Sequence, residues 1–202
     1  MPQREHWEHI HKSKAGHEVS WYEPDPAISF ELIESTTPPS GRIIDVGGGQ
    51  SFLVDRLLNA GFRHVSVLDI SEAALEATRQ RLGTDADDVT WIQGDITEVE
   101  NIGEFDTWHD RAVFHFLTDR SDQQAYLNIL NASLPHGGYL IIGTFGIGGP
   151  ERCSGLPICQ YDADKMQAIL GSGFALVQAR DHVHVTPSGA QQHFFFGVFR
   201  RL

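Results

Sequence analysis

The sequence has few cysteines, no long apolar run and no basic stretch. The two cysteines in 202 residues, Cys153 and Cys159, suit free thiols in a reducing compartment. Their C-x5-C spacing lacks the pattern of a zinc site. No apolar run approaches the roughly 20 residues of a membrane span. The opening stretch MPQREHWEHIHKSKAG is polar and has no apolar centre, so it does not read as a secretory signal. The expectation is a cytoplasmic protein with no membrane partner. Lysine and arginine number 15 against 27 acids, a formal net charge of −12. That balance, with no dense Lys/Arg stripe, argues against a nucleic-acid partner. No metal site is expected either, because His6 and His9 share a helix face but His11 falls elsewhere. There are no internal repeats. A chain of this length predicts one domain with a short extension.

What is present centres on Arg42 to Asp55, RIIDVGGGQSFLVD. Ile43, Ile44 and Val46 make a short apolar run of the buried parallel-strand type. Gly47-Gly48-Gly49 follows, where the chain turns sharply or lets a ligand approach its backbone. Ser51 is placed to cap a helix whose apolar stripe is Phe52, Leu53, Leu57 and Leu58. Asn59-Ala60-Gly61 ends that helix, and residues 65–70, VSVLDI, form the next strand. Asp69 at its tip lies 20 residues past Gly49, about where an acid meets a ribose hydroxyl in nucleotide-binding α/β folds. The third glycine of a dinucleotide fingerprint would fall at position 52, which is Phe52. Asp45 is unusual in an apolar strand and needs a hydrogen bond or a cation. A cofactor with an ammonium and a sulfonium suits it better than one with a pyrophosphate.

On these residues the chain resembles the Rossmann-like (class I) methyltransferases that use S-adenosylmethionine. Their first motif, D/E-x-G-x-G, is matched by Asp45, Gly47 and Gly49. The resemblance implies a three-layer α/β/α fold: a doubly wound, mostly parallel seven-stranded sheet with an antiparallel terminal strand. It implies S-adenosylmethionine as cofactor and S-adenosylhomocysteine as product. It places Asp45, Gly47, Gly48, Gly49, Asp69, Ile70, Asp95, Ile96 and Asp110 around that cofactor, with Asp95 against the exocyclic amine of adenine.

Further along, residues 4–12 predict a short amphipathic helix around Trp7 and Ile10. Pro26 opens a second helix with Asp25 as cap and Ile28, Leu32 and Ile33 inward. Residues 1–40 then form a helical lid over the ligand end of the sheet, and residues 41–202 the cofactor-binding domain. Trp21 and Tyr22 either face the substrate and exclude water or pack under the lid. Ser71 caps a helix to Leu82, Thr84 to Asp88 is a loop, and strands are expected at 89–93, 105–110, 139–145, 174–185 and 193–200. The last two, joined by Thr186-Pro187-Ser188-Gly189, pair antiparallel. Helices are expected from about 121 to 134 and from 162 to 170. The glycine-rich loop 146–160 reads as substrate-facing.

Strand ends in an open parallel sheet deliver ligands, so Asp110, Arg111 and His115 are the catalytic candidates. His115 orients or deprotonates the acceptor, or is simply packed between Phe114 and Phe116. Arg111 pairs with Asp110 or Asp106, or clamps a substrate carboxylate. The stretch Asp110 to His115, DRAVFH, is similar to D-K-G-T-L/F-D of the seven-strand protein lysine methyltransferases and to D-R-G-A of the thiopurine and thiol methyltransferases. Arg111, Ala112 and His115 are its departures from the first pattern. The acceptor is therefore a small molecule or a protein side chain. The alternatives are a non-catalytic S-adenosylmethionine-binding scaffold and a nicotinamide oxidoreductase.

Overall fold

The structure is a computed structural model that describes residues 2–14 and 16–202. Helices α1 (Pro2–Ser13) and α2 (Ala27–Thr36) precede the sheet. The alternating unit follows as β1 (Arg42–Val46), α3 (Leu53–Asn59), β2 (His64–Asp69), α4 (Glu72–Leu82) and β3 (Val89–Gln93). Next come β4 (Thr107–Arg111), α5 (Arg120–Ser133) and β5 (Tyr139–Phe145). A ribbon of β6 (Arg152–Cys153) and β7 (Leu156–Pro157) leads to α6 (Ala163–Leu170), and the hairpin of β8 (Phe174–Val185) and β9 (Gln191–Arg201) ends the chain.

The seven-stranded sheet has the order β3-β2-β1-β4-β5-β9-β8. β1 pairs in parallel with both β2 and β4, and β9 pairs antiparallel with both β5 and β8. The chain therefore winds outward from β1 in one direction and from β4 in the other. The carboxyl ends of β1 and β4 form the switch point where open α/β sheets hold ligands.

The two sheet faces are covered by different helices, and strand alternation sorts the residues between them. Ile43, Ile141 and Phe145 pack with Phe30, Leu32 and Ile33 of α2 and with Leu53 and Leu57 of α3. Ile44, Val46, Trp108, Leu140 and Ile142 pack with Tyr126 and Leu130 of α5 and Met166 of α6. Neighbouring residues on β4 consequently face opposite layers, which decides the fate of every candidate on that strand.

Several expected boundaries move. α3 begins at Leu53, not with Phe52 in its stripe; Ser51 Oγ accepts from Leu53 N–H at 3.1 Å. Phe52 turns out of the core, stacking under the Arg81 guanidinium at 4.2 Å. Asp25 does not cap α2, because its carboxylate is paired with Arg56. Ser29 and Phe30, with Leu32 and Ile33, are the buried side chains of α2, and Ile28 is only partly buried. β2 ends at Asp69, leaving Ile70 just beyond it, and residues 83–88 are a 3-10 turn rather than a loop. β4 runs 107–111, not 105–110, and β9 is longer than 193–200 at both ends. The loop 146–160 is not structureless, since β6 and β7 pair within it.

Candidate functional site

The turn after β1 is built by sterics. Gly47 has φ +70°, and a Cβ there would stand 2.0 Å from Val113 Cγ2. Gly49 has φ +34°, and its Cβ would meet Asp69 Oδ2 at 2.7 Å. Any side chain at either position is both strained and blocked. Gly47 N–H donates to the Leu68 carbonyl at 2.7 Å, and Thr78 Oγ1 donates to the Gly49 carbonyl at 2.6 Å. The bare backbone of this turn lines a cleft at the switch point.

The cleft brings together most of the residues named from the sequence: Asp45, Gly47, Gly48, Gly49, Asp69, Ile70, Asp95 and Ile96, with Trp21 and Tyr22. With its open mouth it holds about 1320 Å³. Asp69 is buried, and its Oδ1 accepts from Ser71 N–H at 2.8 Å. Burial, aided by the nearby Asp45 charge, pushes the Asp69 carboxyl up to about 7. Asp95 turns its Oδ1 to Thr97, accepting from N–H at 2.9 Å and from Oγ1–H at 2.7 Å.

Asp45 does not wait for a ligand to supply its partner. The Nδ1–H of His109 donates to Asp45 Oδ1 at 2.7 Å, and His109 Nε2 lies 2.9 Å from Ser29 Oγ. All three side chains are buried and line the cleft. Sequence reasoning missed His109 and Ser29. The signal was strand parity: Asp45 is registered opposite His109, so both point to the α2 face.

The same parity separates the three catalytic candidates. Arg111 follows His109 on the α2 face and lines the cleft. Asp110 faces α5, fully buried, and accepts from Val113 N–H at 2.9 Å, Phe114 N–H at 3.1 Å and Tyr126 O–H at 2.8 Å. Burial raises its carboxyl to about 6 against those bonds. It holds the turn after β4 and does not line the cleft. Arg111 pairs with neither Asp110 nor Asp106; its ion partner is Glu23, and Asp106 pairs with Arg42.

His115 is fully buried and does not line the cleft. Its ring lies 4.5 Å from that of Phe116 and 4.8 Å from that of Phe145, and its Nδ1 accepts a long bond from Phe145 N–H at 3.4 Å. Desolvation, with help from Arg111, lowers its pKa to about 3. The packed alternative fits this position, and a role in moving protons does not. A folded pKa below the unfolded one makes stability full above pH 6.5 and lost as pH falls towards 3. His115→Phe removes that loss. The variant's melting temperature relative to the native protein is expected to climb as pH falls from 7 to 4.5, by about 1.4 kcal/mol of stability per pH unit below 6.5. Scanning calorimetry at several pH values checks this, and turnover at neutral pH is expected to stay within about twofold.

The N-terminal segment is tied down over the cleft. Glu8 of α1 accepts from Ser71 Oγ–H at 2.8 Å and Ala73 N–H at 3.3 Å, setting its carboxylate at the start of α4, where the helix dipole favours it. Lys12 and these donors hold the Glu8 carboxyl down at about 2. Arg111 Nη1–H donates to the Trp21 carbonyl at 3.1 Å, and His184 Nε2–H donates to that of Ser20 at 2.8 Å. Trp7, His11 and Phe116 join Trp21 in the lining. Cys153 does too, and burial lifts its thiol to about 11. Among the described residues no group of three or more His, Cys, Asp or Glu could hold a metal.

A glycine turn at the switch point, an acid closing β2 and another after β3 define a class: a nucleoside-cofactor α/β domain with an inserted antiparallel strand. The comparisons show what that class is similar to. Residues 43–138 match the family model of a methyltransferase domain. A structure of an S-adenosylmethionine-dependent methyltransferase from Anabaena variabilis has a TM-score of 0.76 at 16% identity, covering 100% of this chain and 96% of that one. A 1,6-didemethyltoxoflavin-N1-methyltransferase from Burkholderia thailandensis, with bound 1,6-didemethyltoxoflavin and S-adenosylhomocysteine, has a TM-score of 0.69 at 18% identity, covering 99% and 82%. The eEF1A lysine and N-terminal methyltransferase of Mus musculus is 22% identical over 96 residues, 48% of this chain and 14% of that protein. The chain thus spans about one seventh of the length of that relative. Over residues 43–138 the chain is similar to a methyltransferase domain, and its fold is that of the solved methyltransferase structures.

The departure at Ala112 carries a backbone cost. Ala112 has φ +69° at the position where both related patterns carry glycine. It holds that strained conformation beside the cleft, with its N–H bonded to the Gly143 carbonyl at 2.7 Å.

Proposed function

We propose that the protein is a methyltransferase that takes its methyl group from S-adenosylmethionine and gives it to a small molecule held under the N-terminal segment. One observation carries the reading: the glycine turn, Asp69 and Asp95 line one cleft together with Trp7, Trp21 and Phe116. Asp69 is placed for the ribose hydroxyls and Asp95 for the adenine amine. The second Asp45 oxygen is placed for the amino group, with His109 holding the first. The cofactor supplies an electrophilic methyl on a sulfonium, whose charge is lost on transfer. The chain's contribution is to hold donor and acceptor in line, worth on the order of 7–11 kcal/mol, and to keep water out.

A small acceptor is favoured because Trp7, His11, Val19, Trp21 and Tyr22 line the cleft, in a segment pinned at Glu8, Ser20 and Trp21. The reading places the reaction in the cytoplasm, in keeping with two free cysteines and a described chain in which no helix is long and apolar enough to cross a membrane. The net charge of −12 favours an acceptor other than nucleic acid.

The test is labelled methyl transfer into a cell extract separated into small-molecule and protein fractions. The expected result is label in the small-molecule fraction with matching release of S-adenosylhomocysteine. Label confined to protein would move the acceptor to a side chain, and binding without release would make the domain a scaffold.

The raised Asp69 carboxyl adds a pH signature. A ribose hydroxyl donates best to an ionised carboxylate, and a group titrating at about 7 is mostly protonated at pH 6. Affinity for S-adenosylhomocysteine is therefore expected to be about tenfold tighter at pH 8 than at pH 6. Calorimetric titration at both values checks this, and Asp69→Asn is expected to flatten the dependence.

A further inference from the structure

The N-terminal segment contributes Trp7, His11, Val19, Trp21 and Tyr22 to the lining of the cleft, and this part of it forms a chamber. Trp7 stands edge-on to Trp21 and to Phe116 there, with ring centroids 5.7 and 5.0 Å apart. Among the described residues lining the cleft, Arg111 is the one lysine or arginine. Its side chain is 14% exposed. A guanidinium carries five N–H donors in a planar fork, and this one is poorly served. Nη1 donates to the Trp21 carbonyl at 3.1 Å. Nε stands 3.5 Å from Glu23 Oε2, beyond the usual length of an N–H···O bond. The fork lies over the Phe194 ring at 5.0 Å. Among the described residues the Nη2 edge finds no hydrogen-bond acceptor. Desolvation outweighs the Glu23 and Asp45 charges and lowers the guanidinium's pKa, so a further anion beside it is stabilising.

We infer that Arg111 and the aromatic walls form the acceptor subsite, and that the acceptor is a small, flat, carboxylate-bearing molecule gripped by the free edge of the guanidinium. This rests on the cofactor reading above, which assigns the rest of the cleft. The fork matches a carboxylate in two parallel hydrogen bonds, and Trp7, Trp21 and Phe116 supply rigid apolar faces for a planar body. An amine acceptor is disfavoured, because its ammonium would share the chamber with Arg111 while Glu23 is already turned to that arginine.

Trp7 and Trp21 report on the chamber by their fluorescence. Protein saturated with S-adenosylhomocysteine is titrated with phenylacetate and, separately, with phenethylamine near neutral pH. Phenylacetate is expected to give a saturable change and phenethylamine none. Arg111→Met is expected to weaken phenylacetate at least about tenfold with S-adenosylhomocysteine affinity within about twofold. Arg111→Lys, which keeps the charge and loses the fork, is expected to fall between. Equal binding of the amine, or phenylacetate binding unchanged in Arg111→Met, overturns the inference. So does a variant that loses S-adenosylhomocysteine while keeping 5′-methylthioadenosine, since Arg111 would then serve the cofactor's own carboxylate. Failure of the native protein to bind S-adenosylhomocysteine is a separate result that removes the cofactor reading and the inference together. The native comparison of carboxylate with amine stands even where Arg111→Met does not fold.

Discussion

Asp69→Ala is expected to weaken S-adenosylhomocysteine binding by roughly a hundredfold while leaving the fold standing. The carboxylate is fixed from behind by Ser71 N–H at 2.8 Å and by the Gly49 turn. The Gly49 N–H also donates to this carboxylate, and in the proposed reading its remaining lone pairs take the ribose hydroxyls. Hydrogen bonds to a charged group contribute about 1.5–3 kcal/mol each, so losing the pair comes to about 3 kcal/mol, or two decades in affinity. Stability moves the other way. A carboxyl whose folded pKa is raised to about 7 contributes stability that is full below pH 3.8 and lost as pH rises through 7. At pH 8 the empty native protein carries that buried charge and the variant does not. The variant's melting temperature without ligand is therefore expected to equal or exceed that of the native protein. A dissociation constant within twofold of native would show that Asp69 has no part in binding.

The second large effect falls on a residue that seemed catalytic from sequence. Asp110→Ala removes the acceptor of three buried donors: Val113 N–H, Phe114 N–H and Tyr126 O–H. Tyr126 in turn accepts from Trp108 Nε1–H at 2.8 Å, so the loss spreads along a chain of buried groups. Each orphaned donor costs about 1–3 kcal/mol, with part relieved by rearrangement, for a sum of about 3–5 kcal/mol. In a chain of this length each kcal/mol lowers the melting temperature by about 2–4 °C, so a fall on the order of 10–15 °C is expected by calorimetry. A variant that melts normally yet transfers no methyl group would place Asp110 in the chemistry instead.

These two aspartates show what could be read from the sequence and what could not. Gly47, Gly49 and Asp69 were legible because local sterics and spacing fix them: a turn with two positive φ values tolerates glycine alone, and the acid ends the next strand. Strands such as 89–93 and 139–145 were legible to the residue because their apolar runs stop at a turn. The doubly wound sheet was what the resemblance implied, and the antiparallel pairing of the last two strands followed from their short turn. The function of β4 residues was not legible. Placing its end one residue early made Asp110, rather than Arg111, the tip, and the face each side chain takes depends on parity. The relay of Asp45, His109 and Ser29 joins residues up to 80 positions apart, and nothing in the local pattern of α2 marks Ser29. Glu8 reaching Ser71 and Ala73 is likewise a tertiary fact. An acid in a short polar helix carries no sign of the helix terminus it will meet.

The central claim is that the cleft between the ends of β1 and β4 holds S-adenosylmethionine. Isothermal titration of the purified protein with S-adenosylhomocysteine and with NADH tests it most directly. The account predicts saturable one-to-one binding of S-adenosylhomocysteine, weakened in Asp69→Ala, and no heat of binding with NADH. Saturable binding of NADH with none of S-adenosylhomocysteine would contradict it.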